Sequence, residues 1–373
     1  MAKKDRKKRP EWAPENAGSE FASEVLPAMD DRASSGQVAP HVPPSRREPS
    51  SDELVRGVLH GDRTLLAQAI TLVESNAPDH QEKAREVLRG LAPHAKPSIR
   101  VGITGVPGVG KSTFIEAIGL CLLREGHHVA VLAVDPSSER SRGSILGDKT
   151  RMERLARDER AFIRPSPTSG TLGGVTRKSR ETIALCEAFG FDVVLVETVG
   201  VGQSETAVRR MVDFFLLLML PGAGDELQGL KKGVIELADA LVFNKADNGG
   251  ERRAKLAAME YGRALHYLAA ATPGWTTEAH TCSALTGKGI SEAWALIERF
   301  VTETKASGVF VERRREQLVR WTHAMVHEEL EQRFYHHAKV ARELPSIEAQ
   351  VAAGRLLPAE AVRGLLALFD PRK

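Results

Sequence analysis

The sequence predicts an α/β fold: a mainly parallel central sheet flanked by helices, with helical extensions at both ends. Three observations point there. From Ile99 onward, short apolar runs alternate with stretches of helical periodicity, the pattern of a sheet built from strand–helix units. A glycine-rich turn, Gly105 to Gly110, joins the first apolar run to the first helical stretch. Over residues 51–97 and after residue 306 the apolar spacing is helical only.

The chain has 373 residues, 42% of them hydrophobic, enough for one large domain with a full core. Its 52 basic and 49 acidic residues leave a net charge of +3, which argues against a nucleic-acid binder. Cys121, Cys186 and Cys282 are far apart and form no CxxC pair, so neither a disulfide framework nor a zinc site is expected. No apolar stretch approaches the roughly 20 residues of a membrane span. The basic start MAKKDRKKRPEW lacks a following apolar region, and Asp5, Glu11 and Glu15 speak against a presequence. A cytoplasmic protein is expected.

Residues 1–50, rich in Lys, Arg, Pro and Ser, read as a disordered basic tail that cannot bury enough apolar surface to offset ordering. Residues 51–97 read as a helical segment: one helix from an N-cap at Ser51-Asp52 to Ser75, and a second from Asp79 to Leu91. Residues 98–306 hold the α/β pattern. Its strands are expected at IRVGIT, HVAVLAV, DVVLVE, FFLLLML and ALVFN, with one more before Cys282. Helices are expected over Lys111–Arg124, Lys178–Phe189 and Glu226–Ala238. In residues 307–373, Leu318, Trp321, Met325 and Leu330 recur at helical spacing within 312–337, and a last helical region over 346–369 is interrupted at Pro358.

The turn Gly105-Val106-Pro107-Gly108-Val109-Gly110-Lys111-Ser112, followed by Thr113, matches GxxxxGK[ST] between a strand and a helix. Glycines let the backbone curl so that successive N–H groups face phosphate oxygens, and the helix adds its positive end. Lys111 supplies a point charge to the β- and γ-phosphates, and the Ser112 hydroxyl is a Mg²⁺ ligand. This is the P-loop of an NTPase.

Asn244-Lys245-Ala246-Asp247 follows an apolar run, the position where NKxD reads guanine. The Asp247 carboxylate accepts two hydrogen bonds from guanine, whereas adenine would leave it buried without a donor, a discrimination of roughly 10⁴-fold or more. Asn244 ties neighbouring loops, and the Lys245 stem lies along the base. Ser283, Ala284 and Leu285 offer backbone N–H groups to the guanine oxygen. Together these motifs name GTP and GDP as the ligands.

Glu197 ends a strand beside the P-loop strand, close to the expected Mg²⁺, in ExxG where small GTPases carry DxxG. Gly200 leaves its N–H free to approach the γ-phosphate, making 199–205 a switch. Asp135 and Asp148 are further candidates for Mg²⁺ or its water shell; the alternatives are a turn residue before Pro136 and a helix cap. The glycine-rich stretch Pro221–Gly233 is a third mobile candidate, or an ordinary loop leading into a capped helix.

The stretches GITGVPGVGKST, AVLAVDPSS, GSILGDKTRM, FIRPSPTSGTLGGV, LVETVGVGQSE, LMLPGAGDELQGLKKG and NKAD, spread over roughly residues 51–340, resemble the MeaB/ArgK/MMAA family. These are GTPase chaperones of methylmalonyl-CoA mutase and related adenosylcobalamin-dependent mutases. The resemblance implies Lys111, Asp135, Glu197 and Lys231 as catalytic residues, and Ser112, Asp135, Asp148 and Glu197 around the metal and the attacking water. Gly200, Gln203, Asp225, Gln228 and Lys231 would lie in the switches. It further implies homodimerisation through the C-terminal helices, an acyl-CoA mutase as client, an adenosyltransferase as helper, and no cobalamin site in this chain. The chain departs from the family's usual glycine pair at Ser141-Arg142-Gly143.

With no arginine finger or glutamine at a standard position, slow intrinsic hydrolysis stimulated by the mutase is expected. The alternative is a nucleotide-dependent protein phosphotransferase, an ArgK-type kinase. Neither an HRD nor a DFG signature supports it. A nickel-insertase relative would carry a His-rich tract, but the 12 histidines are scattered.

Overall fold

The computed structural model describes residues 47–134, 152–165, 172–198, 204–222 and 232–370. Seven strands form one all-parallel sheet in the order β3-β2-β4-β1-β5-β6-β7. They are β1 (Ile99–Gly105), β2 (Val129–Val134), β3 (Ala161–Arg164), β4 (Val193–Thr198), β5 (Phe214–Met219), β6 (Ala240–Phe243) and β7 (Glu278–Thr281). Strands β2, β4 and β5 are buried along their whole length, as unbroken apolar runs require when both faces of a parallel sheet are covered.

Successive residues serve opposite faces. Val193 and Leu195 of β4 join one core cluster, while Val194 and Val196 join another. The first cluster is closed by α4 (Lys111–Arg124) and α10 (Ile290–Ala306), whose Phe300 meets Phe214 and Trp275 edge-on. The second is closed by α1 (Ser51–Leu59), α2 (Arg63–Glu74), α3 (Pro78–Leu91), α6 (Leu172–Phe189) and α7 (Ser204–Arg209). The four-residue helices α5 (Glu153–Ala156) and α8 (Lys232–Ile235) are short links. Helix α9 (Glu251–Leu265) packs on β7 and β6, with Ala254 and Ala258 buried.

The N-terminal layer differs from expectation in having three helices. The single helix expected over 51–75 is broken at Gly61, which takes φ +81°, and Asp62 then caps a new helix by accepting from the Thr64 and Leu65 amides at 2.8 and 3.1 Å. The first cap is Ser50, in a capping box with Glu53, one residue before the expected position. Strand β3 carried no sequence expectation, because four residues are too few to display a period. Helix α6 starts six residues early, its Gly173-Gly174 pair having masked the helical pattern. Of the helix expected over 226–238, only Lys232–Ile235 is helical among the described residues.

Three helices complete the chain: α11 (Val309–Tyr335), α12 (Ala338–Ala352) and α13 (Pro358–Phe369). Pro358 starts a helix instead of interrupting one, since the first turn needs no N–H from it. The beginning of α11 is held under the sheet: Arg314 pairs with the fully buried Asp213, and the Gln317 side chain donates to the Val212 carbonyl at 2.8 Å. Farther along, Leu318, Met325 and Leu330 are exposed, whereas Trp321 turns toward the Arg180 guanidinium. No helix among the described residues is long and apolar enough to cross a membrane.

At Gly102 of β1 the side chains of α7 and β5 crowd the sheet. A Cβ there would lie 2.7 Å from Phe215 Cδ2 and 2.9 Å from Val208 Cγ1. Gly102→Ala is therefore expected to lose about 1–3 kcal/mol through overpacking. Urea unfolding would read this as a lower midpoint at unchanged slope.

Candidate functional site

The candidate site lies at the C-terminal ends of β1, β4, β6 and β7. Between β1 and α4 the chain turns through Gly105, Gly108 and Gly110, with φ of +154°, +79° and +93°. Two of these positions are also closed to a side chain. A Cβ on Gly105 would stand 2.6 Å from the Leu218 carbonyl oxygen, and one on Gly110 would stand 2.8 Å from Asn244 Nδ2. Val106 is half-buried, Pro107 and Gly108 are exposed, and Val109 is fully buried, so the loop is anchored at its base and open at its tip. Gly110 leads directly into the 14-residue helix α4, whose unpaired N–H groups and dipole favour an anion at this end.

Lys111 is the first residue of α4. Its ammonium donates to the Gly105 carbonyl at 2.8 Å and the Val106 carbonyl at 3.4 Å, which holds the side chain back over the loop. Burial lowers its proton affinity, and the carboxylates of Glu197 and Glu205 oppose that shift. Ser112 Oγ donates to Glu197 Oε1 at 3.3 Å, while Thr113 points to solvent. Glu197 owes its position to register, pairing with Ile103 of β1 on one side and Ala133 of β2 on the other. One residue on, the buried Thr198 and Thr104 hydroxyls join at 2.8 Å and fasten the ends of β4 and β1 together. Neither threonine, nor the buried Glu205, was singled out from the sequence. A lone threonine carries no motif, and Glu205 entered only as the end of the expected switch 199–205, with no role of its own.

The corner expected from the sequence to read the base is assembled from three loops. Asn244, 2% exposed, donates from Nδ2 to the Val109 carbonyl at 2.9 Å and accepts at Oδ1 from the Ala284 amide at 3.0 Å. The Cys282 thiol also points at that oxygen, 3.5 Å away. Lys245 takes φ +61° and is exposed, which swings its stem clear of the sheet. Asp247 is oriented by the fully buried Ser283, whose hydroxyl donates to Oδ2, and by Asn248 Nδ2, 3.2 Å from Oδ1. Ser283 Oγ in turn accepts from the Thr286 amide at 3.1 Å. Ala284 is buried and Leu285 is 74% exposed, so the backbone here is presented and the leucine is not a core residue.

The structure thus brings together Gly105 through Thr113, Glu197, Asn244, Lys245, Asp247 and Ser283 through Leu285. Asp135, Asp148, Gly200, Gln203, Asp225, Gln228 and Lys231 lie outside the described residues. Their neighbours bound where they attach: β2 ends at Val134, β4 at Thr198, and α8 begins at Lys232. Among the described residues, no group of three or more His, Cys, Asp or Glu is arranged to hold a metal. The Ser112–Glu197 pair contributes two hard oxygen donors, the type magnesium takes while keeping several waters.

Residues 66–339 match the family model described as "Methylmalonyl Co-A mutase-associated GTPase MeaB". The chain is 52% identical to a probable GTPase of Mycobacterium tuberculosis, over 87% of this chain and 97% of that one. It is 51% identical to GTPase ArgK of Escherichia coli, over 74% and 84%. Identity to the methylmalonic aciduria type A homolog, mitochondrial, of Mus musculus is 45%, over 86% and 80%. A crystal structure of a LAO/AO transport system kinase superposes with a TM-score of 0.66 at 41% identity, covering 84% of this chain and 96% of that one. With an all-parallel sheet, a P-loop and a guanine-type corner already in place, the chain belongs to the MeaB family of methylmalonyl-CoA mutase-associated GTPases.

Proposed function

We propose that this protein binds GTP with Mg²⁺, hydrolyses it slowly, and uses the nucleotide state to gate delivery of adenosylcobalamin to methylmalonyl-CoA mutase or a related acyl-CoA mutase. The observation that carries the nucleotide reading is Asn244, whose amide bonds lock the base-reading loop to the P-loop and to Ala284. Asp247 is oriented by Ser283 and retains lone pairs for the two donors of guanine. The client reading rests on the family.

Within the site, the backbone from Gly105 to Thr113 would hold the phosphates, with Lys111 turning from the loop carbonyls to the β- and γ-oxygens. Ser112 and Glu197, joined by Asp135 and Asp148, would hold Mg²⁺, which when bound neutralises charge on the phosphates. Glu197, fixed by its register between β1 and β2, would also orient the attacking water. Loop 199–203 and the segment through Asp225, Gln228 and Lys231 would report the γ-phosphate, the first through α7 and the second through α8. The exposed apolar residues of α11 and α13, among them Leu318, Val319, Val362 and Leu366, support pairing of two copies through the C-terminal helices.

Steady-state hydrolysis of γ-labelled GTP by the full chain is expected on the order of 10⁻² per second or slower, and to rise at least about tenfold with the cognate mutase. Turnover unmoved by any candidate mutase would remove the client reading, and label transferred to a protein would establish phosphotransfer in its place. Asp247→Ala is expected to weaken GTP binding by about 10²-fold or more while leaving the melting temperature nearly unchanged, as read by competition with a fluorescent GTP analogue. Gly110→Ala is expected to abolish nucleotide binding, because the new methyl group both strains a left-handed residue and displaces the Asn244 amide. Calorimetric titration with GDP checks this.

A further inference from the structure

A second cavity, of about 330 Å³, opens at the opposite end of the sheet, where β5, β6 and β7 begin. It lies between the end of α7, the loop before β7 and the first turns of α11, and Arg209, Arg210, Arg313, Gln317 and Arg320 line it. Glu312 and Glu316 also line it, but each already faces an arginine: Arg315 at 3.5 Å and Arg320 at 3.2 Å. The volume is at the lower end of the roughly 300–1,000 Å³ usual for small-molecule sites.

The charges beneath this cavity do not balance. Two carboxylates, Asp213 and Asp239, are fully buried there. Asp213 is met by Arg314 at 2.8 and 2.7 Å and by the Arg100 amide at 2.9 Å. Asp239 is shared by two guanidinium groups, Arg209 at 3.1 Å and Arg313 at 3.8 Å, whose side chains are only 11% and 14% exposed. Two buried carboxylates, Asp213 and Asp239, thus face three guanidinium groups, Arg209, Arg313 and Arg314, and Arg209 and Arg313 also donate to the Thr272 hydroxyl and to the Ala271 and Asp213 carbonyls, respectively. Nη1 of Arg209 is buried without any hydrogen-bond partner. Arg313 is destabilised in its charged form first by burial and then by repulsion from Arg209. Arg210, on the rim, is exposed and forms no ion pair among the described residues. A buried donor left unpaired is costly, and guanidinium groups on different elements converging on one cavity are suited to an oxyanion.

We propose that this cavity is an anion site, separate from the nucleotide site, that takes a phosphoryl group and on filling clamps α7 to α11. Three terminal oxygens match donors arriving from both helices better than the two of a carboxylate. Helix α7 begins six residues after Thr198 at the end of β4, and it packs on β1 at Gly102. The ligand would thus bridge the nucleotide end of the sheet to the C-terminal helices. The phosphoryl group can be free phosphate or the end of a phosphomonoester. The proposal is independent of the mutase reading.

The test uses the full chain saturated with magnesium and a non-hydrolysable GTP analogue, so that every phosphate position of the P-loop is filled. Inorganic phosphate and, separately, glycerol 3-phosphate are titrated calorimetrically against chloride of equal ionic strength. Saturable binding with Kd about 1 mM or below is expected for at least one of them. Binding of phosphate indicates the free ion, and binding of the ester alone indicates an organic ligand. The double variant Arg210→Ala/Arg320→Ala alters only exposed side chains; it should bind the ligand at least about tenfold more weakly while its affinity for the GTP analogue stays within about twofold. Absence of saturable binding above chloride, or binding undiminished in the double variant, overturns the proposal.

Discussion

The side-chain amide of Asn244 is buried where the loops after β1, β6 and β7 meet, donating to Val109 and accepting from Ala284. Each partner is a backbone group with no strand neighbour at that point, so the asparagine supplies the pairing that burial demands. It also sets a distance. Gly110 has to be a glycine because the amide lies where its Cβ would be, and the P-loop is therefore pressed against the base corner. The P-loop and the corner proposed to read the base are consequently joined in one assembly at the ends of the parallel strands.

The sheet makes that assembly possible by being covered on both faces. Once α4 and α10 close one side, and α1 to α3 with α6 and α7 close the other, the polar ends of the strands are the places left for chemistry. Glu197 illustrates the economy of this arrangement. It is the last carboxylate of an otherwise apolar strand, 5% exposed, and its register between β1 and β2 aims it at Ser112. The Thr104–Thr198 hydroxyl pair behind it keeps the two strand ends from separating. At the other end of the same sheet, Asp213 and Asp239 immediately precede β5 and β6 and gather arginines from α7 and α11.

Much of this was legible in the sequence, for reasons that differ by element. The helix from Lys111 to Arg124 was read to the residue and the strand before it to within one, since glycine spacing, lysine and helix start all constrain one another. Asp247 and Ser283 were legible as motif members, but their mutual hydrogen bond was not, because 36 residues separate them. The break at Gly61 was missed because apolar spacing runs through it, and only the φ of +81° reveals the turn. Glu205 and Arg209 were missed for a different reason: a charged residue in a short helix reads as solvated, and only tertiary packing buries it.

The thiol of Cys282, which leans on the Asn244 carbonyl oxygen, has a chemical consequence for the site. Burial, helped by the charge of Asp247, pushes its pKa up to about 12. The thiolate, the form that reacts, is therefore disfavoured at neutral pH. The corner proposed to read the base thus holds a buried sulfur atom whose reactive form is disfavoured.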